Sequence, residues 1–286
     1  MPAAEPIRDA GAGPDGRTIV TDETDSAAIA AAEAYEALHV PALFAQWSAA
    51  MLDAAGAAIG DRVLDVACGT GVLARAAAGR AGAAAVVAGV DIDRGMLAVA
   101  ARLAPQIDWR RADAVALPFA DGDFDVVLCQ FGLMFFPDRA AAIAEMLRVL
   151  KPGGRLAVAV WGAVADNGAY PLAVELLERL AGRTAADALR APFVLGDPGT
   201  LLALCADAGV VEARVEPCRG LARFPSVRVL MDAELRGWLP LLGVNLEEAM
   251  IARILHEAES ALANFAGAEG GVEFPLRALI GSGRKG

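Results

Sequence analysis

Residues 63–71 have the sequence VLDVACGTG, and they are the most informative stretch of the chain. Its first four residues form a short apolar run that carries one carboxylate, Asp65, and such a run is typical of a buried strand. Gly69 and Gly71 follow, and they allow the backbone to pass close to a ligand before a helix begins at Val72. A buried carboxylate at the end of a strand is costly unless a cation or a hydrogen-bond donor meets it. The stretch therefore predicts a binding site for a ligand with a positive charge.

Apolar strands and helical patterns alternate along the rest of the chain, which predicts an α/β fold. This rhythm indicates a doubly wound, Rossmann-like parallel sheet with right-handed crossovers and helices on both faces. Acidic residues follow two of the strands, Asp91 after the second and Asp113 after the third. The strands are predicted at 63–66, 84–90, 107–111, 124–129, 155–161, 210–215 and 272–280, and the helices between them at 72–78, 93–103, 138–150, 171–181, 198–209, 226–238 and 245–265.

Composition divides the chain into three parts. Residues 1–24 are polar and rich in Pro and Gly, which predicts a flexible tail. Residues 25–60 are predicted to form an N-terminal helical cover, and residues 61–286 the main domain. Helical insertions are expected at about 163–196 and 221–270. A long insertion between strands is usually a lid over a substrate site.

Charge and cysteine content exclude several classes of function. The net charge of -11 argues against nucleic acid and anionic membranes as partners, since both require clustered Lys and Arg. The 4 cysteines show no CxxC spacing, so we expect neither disulfides nor a metal site. No apolar stretch is long enough for a membrane span, and the N-terminus lacks the apolar core of a signal peptide. These features predict a cytoplasmic protein and leave the oligomeric state open, a homodimer included.

A dinucleotide site is the competing interpretation of the glycine turn. Residues 69–74 satisfy the loose G-x-G-x-x-G/A pattern, and Asp91 lies 20 residues beyond Gly71. Asp65 argues against it, because an acid at the end of that strand would face a pyrophosphate. Asp113, with the apolar Ala114 beside it, suits an exocyclic amine instead. A third interpretation remains, in which the acids only cap the turns and helices that follow them.

Four motifs resemble the class I S-adenosylmethionine-dependent methyltransferases in order and spacing. They are VLDVACGTG, GVDIDRGML, RADAVALPFADGDFDVVLCQFGLMFFPD and LRVLKPGGRLAVAVW, within residues 63–161. The chain looks most like the small-molecule group that includes the ubiquinone/menaquinone C-methyltransferases. The resemblance implies a seven-stranded, mostly parallel sheet with an antiparallel last strand, plus helical lid insertions. It also implies S-adenosylmethionine as cofactor and S-adenosylhomocysteine as product.

The resemblance assigns cofactor contacts to residues at the carboxyl ends of the strands. Asp65 would hold the methionine ammonium group, and Asp91 would accept hydrogen bonds from both ribose hydroxyls. The other assignments are the backbone of Ala67, Gly69 and Gly71 along the methionine portion, Ile92 beside the adenine, Asp113 and Ala114 at its amine and ring, and the backbone carbonyl of Gln130 at the ammonium group.

The acceptor side is less sharply defined by the sequence. His39 is the candidate base, because it lies in the N-terminal segment that covers the active site in this family; an ordinary helix-end histidine is the alternative. Candidate substrate contacts are Tyr35, Trp47, Trp161, Asn167 and Tyr170, although core packing would equally explain the two tryptophans. We expect methyl transfer to oxygen or carbon of a small, partly apolar or aromatic acceptor such as a quinone, phenol or natural product. The alternatives are a non-catalytic S-adenosylmethionine-binding protein and an NAD(P)-linked oxidoreductase.

Overall fold

The computed structural model describes residues 23–83, 85–267 and 269–286. The tail predicted at 1–24 lies outside these residues except for its last two positions, which begin the first helix. Seven strands of the described residues form one sheet in the order β3-β2-β1-β4-β5-β7-β6. The strands are β1 (Val63–Val66), β2 (Val87–Asp91), β3 (Asp108–Arg111), β4 (Phe124–Gln130), β5 (Leu150–Trp161), β6 (Val210–Phe224) and β7 (Val272–Lys285).

The direction of the strands confirms the predicted sheet. β1 to β5 are mutually parallel, and β7 runs antiparallel to both β5 and β6. The helices are α1 (Glu23–His39), α2 (Ser48–Ala54), α3 (Val72–Ala81), α4 (Arg94–Leu103), α5 (Arg139–Val149), α6 (Tyr170–Ala181), α7 (Arg183–Arg190), α8 (Pro198–Asp207), α9 (Val227–Asp232), α10 (Leu239–Leu241) and α11 (Glu248–Ala261). Short 3-10 or π turns lie at Val40–Phe44, Ala45–Trp47, Leu133–Phe135, Val164–Asp166, Ala191–Phe193, Ala233–Trp238 and Ala263–Phe265.

The central strand β1 is buried along its whole length, in agreement with its apolar sequence. It lies between β2 and β4, so its carboxyl end faces the middle of the sheet edge. Helix α3 begins directly after the glycine turn, and its N-cap is Gly71 in the left-handed conformation with φ +85°. From β1 the sheet continues through β2 and β3 on one side and through β4 and β5 on the other, so the strand order reverses between β1 and β4. Doubly wound sheets bind their ligands at such a switch point.

The two insertions pack against each other and form one helical layer. Trp238 Nε1 donates to the carbonyl of Ala188 at 3.0 Å, and Tyr170 donates to Glu234 at 3.0 Å. An exposed ion pair joins Arg179 to Glu257 at 2.7 Å. The helices that follow β5 are therefore tied to those between β6 and β7.

Several predicted boundaries were wrong, and the largest error concerns β6. This strand continues to Phe224 rather than ending at Val215, through Pro217 and Gly220. Pro217 is tolerated because β6 is at the edge of the sheet, where one side of the strand needs no ladder hydrogen bond. β5 begins at Leu150 instead of Arg155, with a bulge opposite β4 that absorbs the expected turn.

The segment predicted as an N-terminal helical cover is helical but not continuous. α1 gives way at Val40 to a π turn and then to a 3-10 turn before α2 begins at Ser48. Pro41 lies at this break. Proline interrupts a helix because it has no N–H for the helical hydrogen-bond ladder. Helix α7 was not predicted as an element; it is only 8 residues long, and its buried residues are mainly alanine.

Candidate functional site

Asp65 lies on β1 with its carboxylate buried beneath the glycine turn. Its side chain is 1% exposed, and Oδ2 accepts a hydrogen bond from the backbone N–H of Ala74 at 3.0 Å. Oδ1 is buried and has no hydrogen-bond partner. Burial raises the pKa of Asp65 to about 8, and the nearby Asp91 adds to the rise. A buried carboxylate oxygen without a partner is a site that a cationic donor would satisfy.

Two non-glycine residues with left-handed backbone mark the strand ends beside Asp65. Ala67 follows β1 with φ +56°, and Phe131 follows β4 with φ +58°. A side chain at Gly132 would come within 2.6 Å of the Ala67 side chain, so only glycine fits there. Such strained conformations concentrate at ligand-binding sites, where the surrounding structure holds them in place.

The indole of Trp109 packs against the far side of the glycine turn. A Cβ atom at Gly71 or at Gly89 would overlap with its ring. Its Nε1 donates to the carbonyl of Ala104 at 2.9 Å, which fixes the ring in this position. The predicted role of Gly71 in a close approach is thus partly structural, because the turn must make room for Trp109.

Asp91 ends β2 and organises the loop around it. Its Oδ2 accepts from the N–H of Gly69 at 2.8 Å, and its Oδ1 accepts from the N–H of Asp93 at 2.9 Å. Burial raises the pKa of Asp91. Each carboxylate oxygen can accept a further hydrogen bond. The next residue, Ile92, is 52% exposed and leaves an apolar surface beside the acid, so both residues can serve a ribose and an adenine as the sequence predicts.

Asp113 and Ala114 follow β3 at the outer end of the same edge. The Asp113 side chain is exposed, and its Oδ1 accepts from the N–H of Val115 at 3.1 Å, while Ala114 is buried. One carboxylate oxygen of Asp113 is engaged in this turn and the other is available. The geometry therefore allows the predicted adenine contact.

Gln130 ends β4, and its side chain reaches the N-terminal cover. Its Nε2 lies 3.4 Å from the carbonyl of Phe44, and its Oε1 is buried with no partner. The sequence predicted a role only for the backbone carbonyl of this residue. The unpartnered Oε1 adds a second acceptor at this strand end.

Helix α1 places Tyr35 over the glycine turn, with His39 stacked against the Tyr35 ring. The Tyr35 ring lies 3.9 Å from the position of a Cβ atom at Gly69, and it stacks on His39 with ring centres 5.4 Å apart. Burial raises the pKa of Tyr35, and the carboxylates of Asp91, Glu36 and Asp65 raise it further. Tyr35 therefore stays a protonated donor near Asp65 and Asp91, the predicted cofactor acids, whereas the sequence predicted a substrate contact for it.

The surroundings of His39 favour the neutral form of its imidazole. Burial lowers its pKa, and its Nδ1 is buried with no hydrogen-bond partner. A neutral histidine with a vacant nitrogen meets the first chemical requirement for a general base.

Four aromatic rings form a cluster at the carboxyl ends of β4 and β5. Phe131 stacks on Trp161 with ring centres 4.0 Å apart, and Phe44 contacts both rings at 5.6 and 5.9 Å. Trp47 contacts both rings edge-on, and it is 2% exposed with its Nε1 bonded to the carbonyl of Leu43. Trp47 is therefore a core residue, whereas Phe44 is half-buried on the side of Tyr35.

The structure gives Asn167 and Tyr170 structural partners rather than open positions. Asn167 is fully buried; its amide donates to the carbonyls of Gly162 and Ala163, and its Oδ1 accepts from the N–H of Arg277. Tyr170 is buried, and its hydroxyl donates to Glu234. This placement argues against the acceptor contacts predicted for both residues.

Some residues of the site were not predicted from the sequence. Trp109 was missed, although a glycine inside a strand, here Gly89, often signals a close approach. Glu36, Thr70 and Arg75 form a polar network between α1 and the glycine turn. Away from the site, Glu234, the buried partner of Tyr170, was also missed, and burial raises its pKa to about 7. These residues have no spacing that would connect them in the sequence.

Metal ligation has no support in the part of the chain that the structure describes. No three or more His, Cys, Asp or Glu side chains there are grouped to hold a metal ion. Within the same residues, no helix combines the length and apolar character that crossing a membrane requires.

Comparison with known proteins agrees with this geometry. Residues 64–158, about a third of the chain, match the family model described as a methyltransferase domain. This part of the chain is similar to methyltransferase domains. It contains most of β1 to β5, with Asp65, Asp91 and Asp113 at or just beyond the carboxyl ends of the first three strands.

The curated relatives that this region matches include methyltransferases named for quinones. The chain is 48% identical over 114 residues to the demethylmenaquinone methyltransferase of Renibacterium salmoninarum. The aligned region covers 40% of the chain and 47% of the relative. It is 43% identical over 105 residues to the 2-phytyl-1,4-naphtoquinone methyltransferase of Synechococcus elongatus, which covers 35% of the chain and 45% of the relative. The chain thus spans about half the length of the curated relatives that it matches.

A solved structure extends the likeness in fold beyond the matched region. The YcgJ protein of Bacillus subtilis superposes with a TM-score of 0.56 at 21% identity, over 84% of this chain and 98% of that chain. This similarity concerns the fold alone.

Proposed function

We propose that this protein transfers the methyl group of S-adenosylmethionine to a small, partly apolar or aromatic acceptor of the quinone or phenol type. The observation that carries the proposal is the buried, unpartnered Oδ1 of Asp65 beside the glycine turn. A methionine ammonium group supplies the donor that this oxygen lacks. A pyrophosphate would bring a second negative charge to it, which disfavours an NAD(P)-linked function.

The residues around the site fit each part of the cofactor. Asp65 and the carbonyl of Gln130 would hold the ammonium group, and the backbone of Ala67, Gly69 and Gly71 would line the methionine portion. Asp91 would accept from the ribose hydroxyls with the lone pairs that Gly69 and Asp93 leave available. Ile92, Asp113 and Ala114 would flank the adenine.

Bound S-adenosylmethionine would supply an electrophilic methyl group. The protein's part in the reaction is alignment and the exclusion of water. Tyr35, which stacks on both His39 and Phe44, would cover the site, and the stacked rings of Phe131 and Trp161 would form an aromatic wall at the ends of β4 and β5. The relatives named for menaquinone and phytylnaphthoquinone methylation support an aromatic acceptor.

His39 is proposed to accept the proton that an acceptor carbon or oxygen must lose. We expect His39→Gln to lower kcat by about a hundredfold, the usual contribution of general base catalysis, with little change in cofactor affinity. The wild-type pH profile of kcat should lose its acidic limb in the variant. An unchanged profile would remove His39 from the proton transfer.

Cofactor affinity should depend on pH through Asp65. The carboxyl group must lose its proton to accept from an ammonium group, and its pKa without ligand is about 8. The dissociation constant of S-adenosylhomocysteine should therefore fall about tenfold between pH 6 and pH 7. The stability of the unliganded protein should change with pH in the opposite direction. Because the pKa of Asp65 is raised in the folded protein, its contribution to the free energy of unfolding is largest at low pH and is lost as pH rises towards 8.

Turnover with a labelled methyl group is the test of the proposed function. Reduced naphthoquinones, phenols and simple amines should be offered with methyl-tritiated S-adenosylmethionine, and the protein should label the first two classes. Tight cofactor binding with no label transferred to any acceptor would favour a non-catalytic S-adenosylmethionine-binding protein.

A further inference from the structure

Helix α1 is attached to the glycine turn by a closed ring of polar contacts. The hydroxyl of Thr70 donates to Glu36 Oε2, and Arg75 Nη2 donates to Glu36 Oε1 at 2.7 Å. Arg75 Nη1 donates to the backbone carbonyl of Thr70 at 2.5 Å, which completes the ring. We refer to Glu36, Thr70 and Arg75 as the latch.

The latch is partly shielded from water, unlike the other ion pair of the same helix. Thr70 is 1% exposed, and the side chains of Arg75 and Glu36 are 25% and 23% exposed. The pair between Arg102 and Glu33 also joins α1 to the domain at 2.7 Å, but its side chains are 59% and 48% exposed. Exposed ion pairs contribute little to stability, whereas a partly shielded carboxylate that accepts two hydrogen bonds forms a stronger attachment.

Thr70 occupies the position in the turn where a small movement would disturb the cofactor site. It lies between Gly69 and Gly71, whose φ angles are +54° and +85°. Gly69 is also bound through its N–H by Asp91. On the helix side, Glu36 directly follows Tyr35, whose ring lies over Gly69. The latch therefore fixes the distance between the covering ring and the turn beneath it.

We propose that Glu36 is a positioning residue that holds Tyr35 and His39 over the bound cofactor through Thr70 and Arg75. The proposal rests on the proposed function, because it concerns the same cofactor site. With the latch formed, α1 covers the turn, so the cofactor product leaves only when Glu36 separates from Thr70. Opening the latch then sets the rate of product release.

Matched variants at Thr70, Glu36 and Glu33 separate the effect of the latch from effects on general stability. Thr70→Ser keeps the hydroxyl, whereas Thr70→Val keeps the shape and removes it. Glu36→Gln weakens the same network from the other side. Glu33→Gln removes only the exposed ion pair of α1 and serves as the control on the same helix.

The measurement is the dissociation rate of tritiated S-adenosylhomocysteine chased with unlabelled ligand. Thr70→Val and Glu36→Gln should each release it at least tenfold faster than wild type, as expected for the loss of a hydrogen bond to a charged group. Thr70→Ser and Glu33→Gln should remain within about twofold of wild type, since the latch keeps its charged hydrogen bonds in both. The double variant Thr70→Val/Glu36→Gln should be no faster than the faster single variant, because both act on one network.

Hydrogen exchange of α1 gives a second readout. In the ligand-bound protein, Thr70→Val should expose the amides of residues 30–39 while those of α4 stay protected. If Thr70→Val does not fold, Glu36→Gln against Glu33→Gln decides the same question. Equal release rates for Thr70→Val and Thr70→Ser, or for Glu36→Gln and Glu33→Gln, would overturn the latch. Failure of the wild-type protein to bind S-adenosylhomocysteine would instead overturn the proposed function, and the latch with it.

Discussion

Asp65→Asn is expected to weaken S-adenosylmethionine binding by about 3 kcal/mol or more, roughly a hundredfold, because it leaves the ligand's ammonium group in a buried site without its counter-charge. The asparagine oxygen still accepts from the N–H of Ala74, so β1 and α3 keep their connection. The effect should therefore appear in affinity and not in folding. Isothermal titration with S-adenosylhomocysteine measures it directly.

The control for Asp65 is another strand carboxylate away from the site. Asp125 on β4 accepts from Lys151 at 2.7 Å and from the N–H of Arg62 at 2.9 Å. Asp125→Asn should lower stability slightly and leave cofactor affinity unchanged. Equal affinities for wild type and Asp65→Asn would contradict the ammonium site. The variant should also lose the pH dependence of binding that is expected for the wild-type protein.

Asp91→Ala should weaken cofactor binding by about 1–3 kcal/mol, since hydrogen bonds from the ribose hydroxyls to a charged group are lost. The change also removes the acceptor for the N–H groups of Gly69 and Asp93, so part of the loss comes from a looser glycine turn. Asp91→Asn separates the two effects, because it retains one acceptor oxygen. Its loss of affinity should be intermediate.

Asp93→Ala is the matched control for Asp91. Asp93 is the N-cap of α4 and accepts from the N–H of Met96 at 2.9 Å, so its removal should cost about 1 kcal/mol of stability. Its backbone N–H to Asp91 is retained in the variant. Cofactor affinity of Asp93→Ala within twofold of wild type, beside a clear loss in Asp91→Ala, is the expected pattern. The reverse pattern would show that the helix cap, and not the ribose contact, governs binding.

The sequence predicts the first strands, the glycine turn and the positions of Asp65 and Asp91 well because local chemistry dictates them. An apolar run with one acid, a glycine turn and a helix can be recognised without knowledge of distant contacts. Asp65 and Asp91 lie at the carboxyl ends of neighbouring parallel strands, as the alternation of strands and helices predicts. The bounds of β4 and α6 were also predicted to within one residue at each end.

The acceptor half was predicted less well because long-range packing determines it. Asn167 was expected at the mouth of the site, yet its amide braces the backbone of β7, 110 residues further along the chain. Tyr170 donates a hydrogen bond to Glu234 from the second insertion, and no local sequence pattern predicts this contact. The latch has the same origin, since Glu36 and Thr70 are separated by 34 residues. The packing of the assembled helices determines these side-chain contacts, and the spacing of residues in the sequence does not.

Calorimetric titration of the wild-type protein and of Asp65→Asn with S-adenosylhomocysteine, with NADH as the control ligand, is the most direct test of the ammonium site at Asp65. Micromolar binding of S-adenosylhomocysteine to wild type, a loss of about a hundredfold in Asp65→Asn and no binding of NADH are the predicted results. Binding of NADH, or S-adenosylhomocysteine affinity that does not depend on Asp65, would contradict the proposed cofactor site and the methyl transfer built on it.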